Sequence, residues 1–295
     1  MTSLDADLHC PLCGEEKARL RFEQAPHRVQ DCAGCGVTYV SPRRTGRELI
    51  EEVYDESYWR SNSPSSRGYA DYAGDAALHE RTYGRRLQVL EKRLPRAGRV
   101  LDVGCAEGSF LQLMQNRGWS AFGLEPSPSM AQLACARIGE DRIQTASLDR
   151  ARFDSECFDL ITLWDVLEHL PAPIEGLQRV REWLSPQGRV LIETQDISSL
   201  MARVCGARWQ HFKHDEHLVH FTPATLESAC RKAGLRLIHT QRRGAGKYVR
   251  GAFLVERSAR IHRRWPGLLR PFLGGDWSVY VNPLDEIIAI AEPLP

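Results

Sequence analysis

Cys10 and Cys13, in Cys-Pro-Leu-Cys-Gly, and Cys32 and Cys35, in Cys-Ala-Gly-Cys-Gly, constrain the start of this chain more than any other feature. A Cys-x-x-Cys-Gly turn brings two thiolates onto one ion. Two such turns facing each other, with residues 14–31 between them, complete a closed tetrahedral four-sulfur shell, the spacing of a structural Zn2+ ribbon. Segments 17–23 and 27–31 are short enough for hairpin strands, and 37–40 supplies a third. The metal then replaces a core that so short a stretch does not build. The competing uses are a redox pair or two disulfides, but a redox motif occurs once and inside a βαβ unit. Cys105, Cys135, Cys157, Cys205 and Cys230 stand singly in apolar surroundings and read as small buried hydrophobes. Nine is an odd total, and MTSLDADLHC has neither a basic start nor an apolar run, so the expected compartment is a reducing cytoplasm. No run approaches the ~18 apolar residues of a membrane span.

The 295 residues are 42% hydrophobic and 26% charged, which excludes disordered, collagen-like and coiled-coil chains and fits one large domain or two. The net charge is +1, so an anionic partner has to be met by a local patch. The expected organisation is a zinc ribbon over 1–45, a linker and helix over 46–95, and a main domain over 96–295. Residues 61–74, rich in Ser, Gly and Tyr, read as a loop or mobile lid. Tyr83, Leu87, Leu90 and Leu94 form one stripe of a helix over 75–94, which Pro95 ends. Beyond it, strand-like runs RVLDV, WSAFGLE, DRIQTA, FDLITLW, GRVLIET, LRLIHTQ and DEIIAIA alternate with helical patterns. That alternation predicts a doubly wound α/β fold, with chemistry beyond the carboxyl ends of its strands.

The first of these strands runs into Asp102-Val103-Gly104-Cys105-Ala106-Glu107-Gly108-Ser109. A dinucleotide turn asks for glycine at 104, 106 and 109, and Ala106 and Ser109 fail it. Asp102 and Glu107 also repel a pyrophosphate. S-adenosylmethionine suits the turn better, because it has no phosphate and carries an ammonium and a sulfonium. Gly104 and Gly108 allow its close approach. Glu125 ends the second strand, where a carboxylate accepts from both ribose hydroxyls, and Ser127 and Pro128 start the next helix.

VLDVGCAEGSF, GLEPS, ASLDRARFDSECFDLITLWDVLEHLPAP and LSPQGRVLIET, in that order, resemble class I S-adenosylmethionine-dependent methyltransferases. The subgroup is the one related to ubiquinone-biosynthesis O-methyltransferases, and the likeness covers roughly 75–242. The ribbon with GVTYVSPRR and Asp-Glu-Ser-Tyr-Trp is similar to bacterial members that carry an N-terminal zinc ribbon. The resemblance implies a seven-stranded Rossmann-like sheet. It places Asp102 and Gly104 at the methionine end, Glu125 at the ribose, Ser147 and Leu148 at the adenine edge and Trp164 on the far wall. Ala106 stands where the family usually has glycine. Ser147 stands where it often has Asp, which leaves the adenine contact to backbone N–H groups.

Methyl transfer from a sulfonium is an in-line displacement, so alignment in a dry site supplies much of the catalysis. Asp165, Glu168 and His169 follow the fourth strand of this domain. His169 is the natural base for a hydroxyl acceptor, with Glu168 expected to raise its pKa; capping of its own turn is the alternative role. Related ubiquinone-pathway enzymes hold a divalent cation with Glu-x-x-Glu-His at this place. Asp165, Glu168 and His169 match it with one carboxylate a methylene shorter, which counts against a metal. His211, His214, His217 and His220 recur at steps of three, which on a helix drift by about 60° each and do not converge on one ion. By resemblance His217 and His220 belong to the acceptor pocket; a solvated polar loop is the plainer alternative.

Residues 247–270 hold seven Lys or Arg and one Glu among Phe253, Leu254, Ile261, Trp265, Leu268 and Leu269. Such a basic amphipathic segment, taken over 247–272, suits an anionic membrane surface, a phosphorylated substrate, or closure over the acceptor site; a solvated helix over the sheet is the plainer alternative. The leading expectation is O-methylation of a small molecule such as a sugar or glycan precursor. An RNA base methyltransferase is the rival, disfavoured by a ribbon of balanced charge with few stacking aromatics. An inactive interaction module is the third reading.

Overall fold

The protein is described here by a computed structural model covering residues 9–61, 68–258, 264–273 and 277–295. In chain order the strands are β1 (Ala18–Gln24), β2 (His27–Cys32), β3 (Thr38–Ser41), β4 (Arg99–Val103), β5 (Ser120–Glu125), β6 (Ile143–Thr145), β7 (Phe158–Trp164), β8 (Leu184–Gln195), β9 (Val219–His220), β10 (Leu235–Gln241), β11 (Lys247–Arg250), β12 (Ser278–Val281) and β13 (Glu286–Pro293). Seven of them form the central sheet in the order β10-β13-β8-β7-β4-β5-β6. β13 runs antiparallel to both neighbours, while the β4, β5, β6, β7 and β8 pairings are parallel. Each of the seven apolar runs identified in the main domain supplies one of these strands.

Both faces of the sheet are covered, as a parallel sheet requires. The period of two sends Val100 and Leu160 to one core with Leu87, Phe110 and Met114, and Leu101 and Ile161 to the other with Leu177, Trp183 and Leu226. The helix expected over 75–94 is α-helical over Ala76–Leu90 and tightens to a 3-10 turn at Glu91–Arg93. Thr222 and Thr225 cap the helix Pro223–Lys232 reciprocally, each hydroxyl accepting from the other's backbone N–H. β4 lies between β5 and β7, the point where the strand order reverses, so its carboxyl end opens onto a crevice.

The ribbon is not a separate bead. Its sheet β1-β2-β3 takes a fourth strand, β9, from the main domain, and Cys10, Cys32, Val37 and Tyr39 share one core with Leu218 and Val219. The basic segment is not one helix either. It comprises β11, paired with β12, then helices Gly251–Ser258 and Trp265–Leu273; Ile261 and residues 62–67 of the expected lid lie outside the described residues. Among the described residues no helix is long and apolar enough to cross a membrane.

Candidate active site

Gly104 leaves β4 at φ +72, and a Cβ there would meet Val166 Cγ2 at 2.7 Å, so the turn admits glycine alone without strain. Ala106 follows at φ +46 and donates its N–H to Glu125 Oε2 at 2.9 Å; the Ser127 N–H donates to Oε1 at 2.8 Å. Burial raises the Glu125 pKa to about 7 against these two bonds. Gly104, Glu125, Ser147, Leu148 and Trp164 all line one cavity of about 1230 Å³. Asp102 and Gly108 do not. Asp102 sits behind the turn, accepting from Thr162 Oγ1 at 2.6 Å, and burial pushes its pKa to about 8. Gly108, at φ +83, lets the turn approach the helix Pro128–Ile138, since a Cβ would meet Ala134 Cα at 3.2 Å. Trp164 is wedged between Tyr83 and Phe110, with ring centroids at 5.3 and 5.4 Å.

The same cavity continues past β7 to Asp165, His169, His211, Lys213 and His217. Asp165 is open to it and holds φ +53, an uncommon conformation for a side-chain-bearing residue. Its depth acts upward on the pKa, but Lys247, Arg86, His211 and His169 outweigh this and hold the carboxyl below its ordinary range. Glu168 is fully buried, accepting from Thr194 Oγ1 at 2.9 Å, and burial and Asp165 push its pKa well up. It therefore does not raise His169 as expected. Burial lowers the His169 pKa, and its Nδ1 lies 2.7 Å from Tyr54 Oη and 2.9 Å from the Glu216 carbonyl.

Ligand atoms of Glu168, His169 and His217 fall within 4.8 Å of one another, whereas Asp165 stays outside this group. The three residues matching the cation motif are thus not brought together. His217 packs edge-on to His169 at 4.7 Å between ring centroids. His220 is buried away from the cavity beside Gln195, and burial drives its pKa to about 3.

A methyltransferase-domain family model matches residues 75–240. The chain belongs to the methyltransferase domain family. It is 31% identical over 192 residues to a ubiquinone biosynthesis O-methyltransferase of Nitrosococcus oceani, covering 58% of this chain and 81% of that one. A protein of the same name from Leptothrix cholodnii is 28% identical over 155 residues, 48% of this chain and 66% of that one. The fold is shared with an S-adenosylmethionine-dependent methyltransferase of Thermotoga maritima, at TM-score 0.50 and 17% identity over 75% of this chain and 93% of that one. It is shared too with the Burkholderia thailandensis 1,6-didemethyltoxoflavin-N1-methyltransferase, solved with S-adenosylhomocysteine, at TM-score 0.50 and 18% identity over 94% and 100%.

The ribbon of this methyltransferase-domain chain precedes the matched span. Its four cysteines are free thiols. Cys10 and Cys35 Sγ lie 3.6 Å apart and Cys13 and Cys32 Sγ 3.4 Å, close to the roughly 3.8 Å edge of a tetrahedron with metal–sulfur bonds of about 2.3 Å. Burial acts upward on Cys32, but the N–H groups of Cys35 and Gly34 and the Cys13 thiol outweigh it and hold the pKa at about 7. The donor set fits Zn2+.

One part of the cavity wall was not read from the sequence. Tyr54, Tyr58, Trp59, Tyr69 and Tyr72, from the stretch taken as linker and lid, line the cavity. Their only signal was the density of aromatic residues there. The basic segment, for which a surface role, closure over the site or a solvated helix over the sheet were the expected uses, turns inward at its start. Lys247 Nζ donates to Glu286 at 2.8 Å, Arg250 Nε to Asp75 at 2.5 Å, and Phe253 and Leu254 line the cavity.

Proposed function

We propose that this chain transfers the methyl group of S-adenosylmethionine to an oxygen of a small molecule, with a sugar or a nucleotide- or lipid-linked glycan precursor as the substrate class. One observation carries the reading: a single cavity joins Glu125, Ser147 and Leu148 to Asp165, His169 and His217. When bound, S-adenosylmethionine supplies an electrophilic methyl group on a sulfonium. Glu125 would hold the ribose hydroxyls, the turn at Gly104 the methionine end, Ser147 and Leu148 the adenine edge, and Trp164 the wall between.

The protein's own part is alignment and proton transfer. His169 is neutral near pH 7, and with Nδ1–H donating to the Glu216 carbonyl its Nε2 lone pair is free to take a hydroxyl proton. The Asp165 carboxylate, held below its ordinary pKa by Lys247 and Arg86, would accept a hydrogen bond from a hydroxyl of the acceptor. Tyr54, Trp59 and Tyr69 present apolar ring faces that exclude water from the transfer. The named oxygen chemistry of the curated relatives supports the choice of oxygen. Cys10, Cys13, Cys32 and Cys35 would hold a structural Zn2+. An RNA face on the ribbon is disfavoured, because Arg19 and Arg21 pair with Asp31 and Arg28 with Glu23. Peripheral contact with an anionic membrane or phosphorylated substrate falls to the helix Trp265–Leu273, where Leu268 is 66% exposed.

Calorimetric titration with S-adenosylhomocysteine tests the cofactor half, and a mass-resolved screen of cell extract with labelled donor tests the acceptor half. No binding heat in the native chain, or equal heat in Glu125→Ala, sinks the reading.

A further inference from the structure

Residues 211–220 lie between the ribbon and the methyl-transfer end of the cavity and are bonded to both. On the ribbon side, Phe212 packs on Phe22 with ring centroids 4.8 Å apart, His214 Nε2 lies 3.2 Å from Gln24 Oε1, and Asp215 lies 3.4 Å from His27 Nε2. Arg44 Nη2 donates to Asp215 at 2.9 Å, and β3 pairs with β9 through Thr38 opposite His220 and Tyr39 opposite Val219. On the site side, the Glu216 carbonyl meets His169 Nδ1 and the Glu216 carboxylate accepts from Tyr58 Oη at 2.7 Å. The peptide groups of Leu218 bridge the two sides. Its carbonyl accepts from the Val40 N–H at 2.9 Å and its N–H donates to the Glu168 carbonyl at 2.8 Å.

Exposed pairs such as Arg44–Asp215 contribute only about 0–1 kcal/mol. The buried backbone bonds and the shared core carry the connection: Tyr39, Leu218 and Val219 are all fully buried, in the cluster that contains Cys10 and Cys32. Lys232, from the helix Pro223–Lys232, adds a bond from Nζ to the Leu12 carbonyl inside the first cysteine turn at 2.7 Å. A ribbon that only recruited partners would need none of this continuity.

We propose that the four-cysteine ribbon is a positioning element of the methyl-transfer site: with its metal bound it holds residues 211–220, and through Glu216 and Leu218 it sets the orientation of His169. Unloading the cysteines frees β3, the β3–β9 pairing loosens, and His169 loses its fixed carbonyl partner. Among the described residues the cofactor half, built on β4 and β5, shares no hydrogen bond with 211–220; it meets that segment only through the common core and keeps its ligand. The inference rests on the methyltransferase reading for its consequence, but its test does not require the acceptor.

The test compares the zinc-loaded full chain, the chain stripped with a chelator, Cys13→Ser, and Cys13→His, which keeps a four-ligand shell of the Cys3His type. Three readouts are taken: amide hydrogen exchange across 211–220, the long-range imidazole ¹H–¹⁵N spectrum of His169, and S-adenosylhomocysteine affinity by calorimetry. Stripping and Cys13→Ser are expected to speed exchange at Leu218 and His220 at least tenfold and to change the His169 tautomer pattern. Affinity for S-adenosylhomocysteine should stay within threefold, and Cys13→His should restore the native spectra. Phe22→Ala with Arg44→Ala, which keeps all four thiols, is expected to move the same signals less far in the same direction. Unchanged His169 signals and unchanged protection of 211–220, in the unloaded chain and in this double variant alike, overturn the proposal. Absence of S-adenosylhomocysteine binding in the loaded native chain fails the methyltransferase reading instead.

Discussion

Glu125 Oε2 accepts a hydrogen bond from the Ala106 N–H at 2.9 Å, so the tip of β5 is tied to the turn that leaves β4. The carboxylate proposed for the ribose is thereby aimed by backbone, and the turn is stiffened by the carboxylate. Burial holds the Glu125 pKa at about 7, up from 4.5. In the free protein that raised value means stability present below pH 4.5 is lost as pH rises through 7. Ribose hydroxyls donate to the ionised form, so ligand binding runs the other way. Affinity for S-adenosylhomocysteine is expected to rise about tenfold from pH 6 to pH 8, as the ionised fraction climbs from roughly a tenth to nine tenths. Calorimetry across that range checks it, and Glu125→Gln should be weaker and flat with pH.

Gly104 and Gly118 both have positive φ, +72 and +83, but only Gly104 is crowded, with Val166 Cγ2 at 2.7 Å from a built Cβ and nothing within 4 Å at Gly118. Alanine at either position is strained by about 1–2 kcal/mol. Gly104→Ala should also displace Val166 at the cavity wall and weaken S-adenosylhomocysteine binding at least tenfold. Gly118→Ala should lower the melting temperature by a few degrees with affinity intact. Equal affinities for the two variants contradict this assignment of the turn.

The central sheet was legible because its inner strands β4, β7 and β13 are short apolar runs bounded by polar or turn residues, as burial on two faces requires. The turn proposed for the cofactor stood out because Gly104 and Glu125 sit at strand ends, and both line the cavity. Thr162, whose hydroxyl takes up the Asp102 carboxylate, lies 60 residues away and has no local signature. β9 is two residues long, too short for any periodicity to announce it. Lys247 and Arg250 counted as free charge in the sequence because Glu286 and Asp75, which pair with them, are remote along the chain. The pKa of His169 was misjudged as well. Glu168 is adjacent in sequence, but burial and the Asp165 carboxylate push its own pKa well up, so it does not supply the charge expected to raise His169, whose burial dominates.

His169→Asn is expected to lower methyl transfer by about 10²–10⁴-fold, the usual contribution of a positioned base, while S-adenosylhomocysteine affinity stays unchanged. Because burial lowers the histidine's pKa below 6.5, the neutral base persists under mildly acidic conditions. With S-adenosylmethionine saturating at each pH, so that the titration of Glu125 does not limit the rate, the native rate should therefore hold as pH falls to 6.5 and decline only through the lowered pKa. Initial rates with the acceptor found by the labelled-donor screen check both statements. A rate that already halves at pH 6.5 would mean that some other group takes the proton.

Arg86 and Glu193 are buried together, 4% and 0% exposed at their side chains, with Nη1 to Oε2 at 2.5 Å. Arg86 also donates to the Ala245 and Gly246 carbonyls at 3.2 and 3.3 Å, so one guanidinium fastens the helix Ala76–Leu90 to β8 and to the approach to β11. Arg86→Leu leaves Glu193 buried without its cation, and Glu286 with Lys247 and His211. Removing one partner of such a pair costs about 3–5 kcal/mol, because the remaining charge is stranded. Adding Glu193→Gln removes the stranded carboxylate, so Arg86→Leu with Glu193→Gln should be more stable than Arg86→Leu alone. Urea denaturation of the three proteins gives the comparison. A loss under 1 kcal/mol for Arg86→Leu, or a double variant no more stable than the single one, would show that the pair does not hold this wall of the cavity.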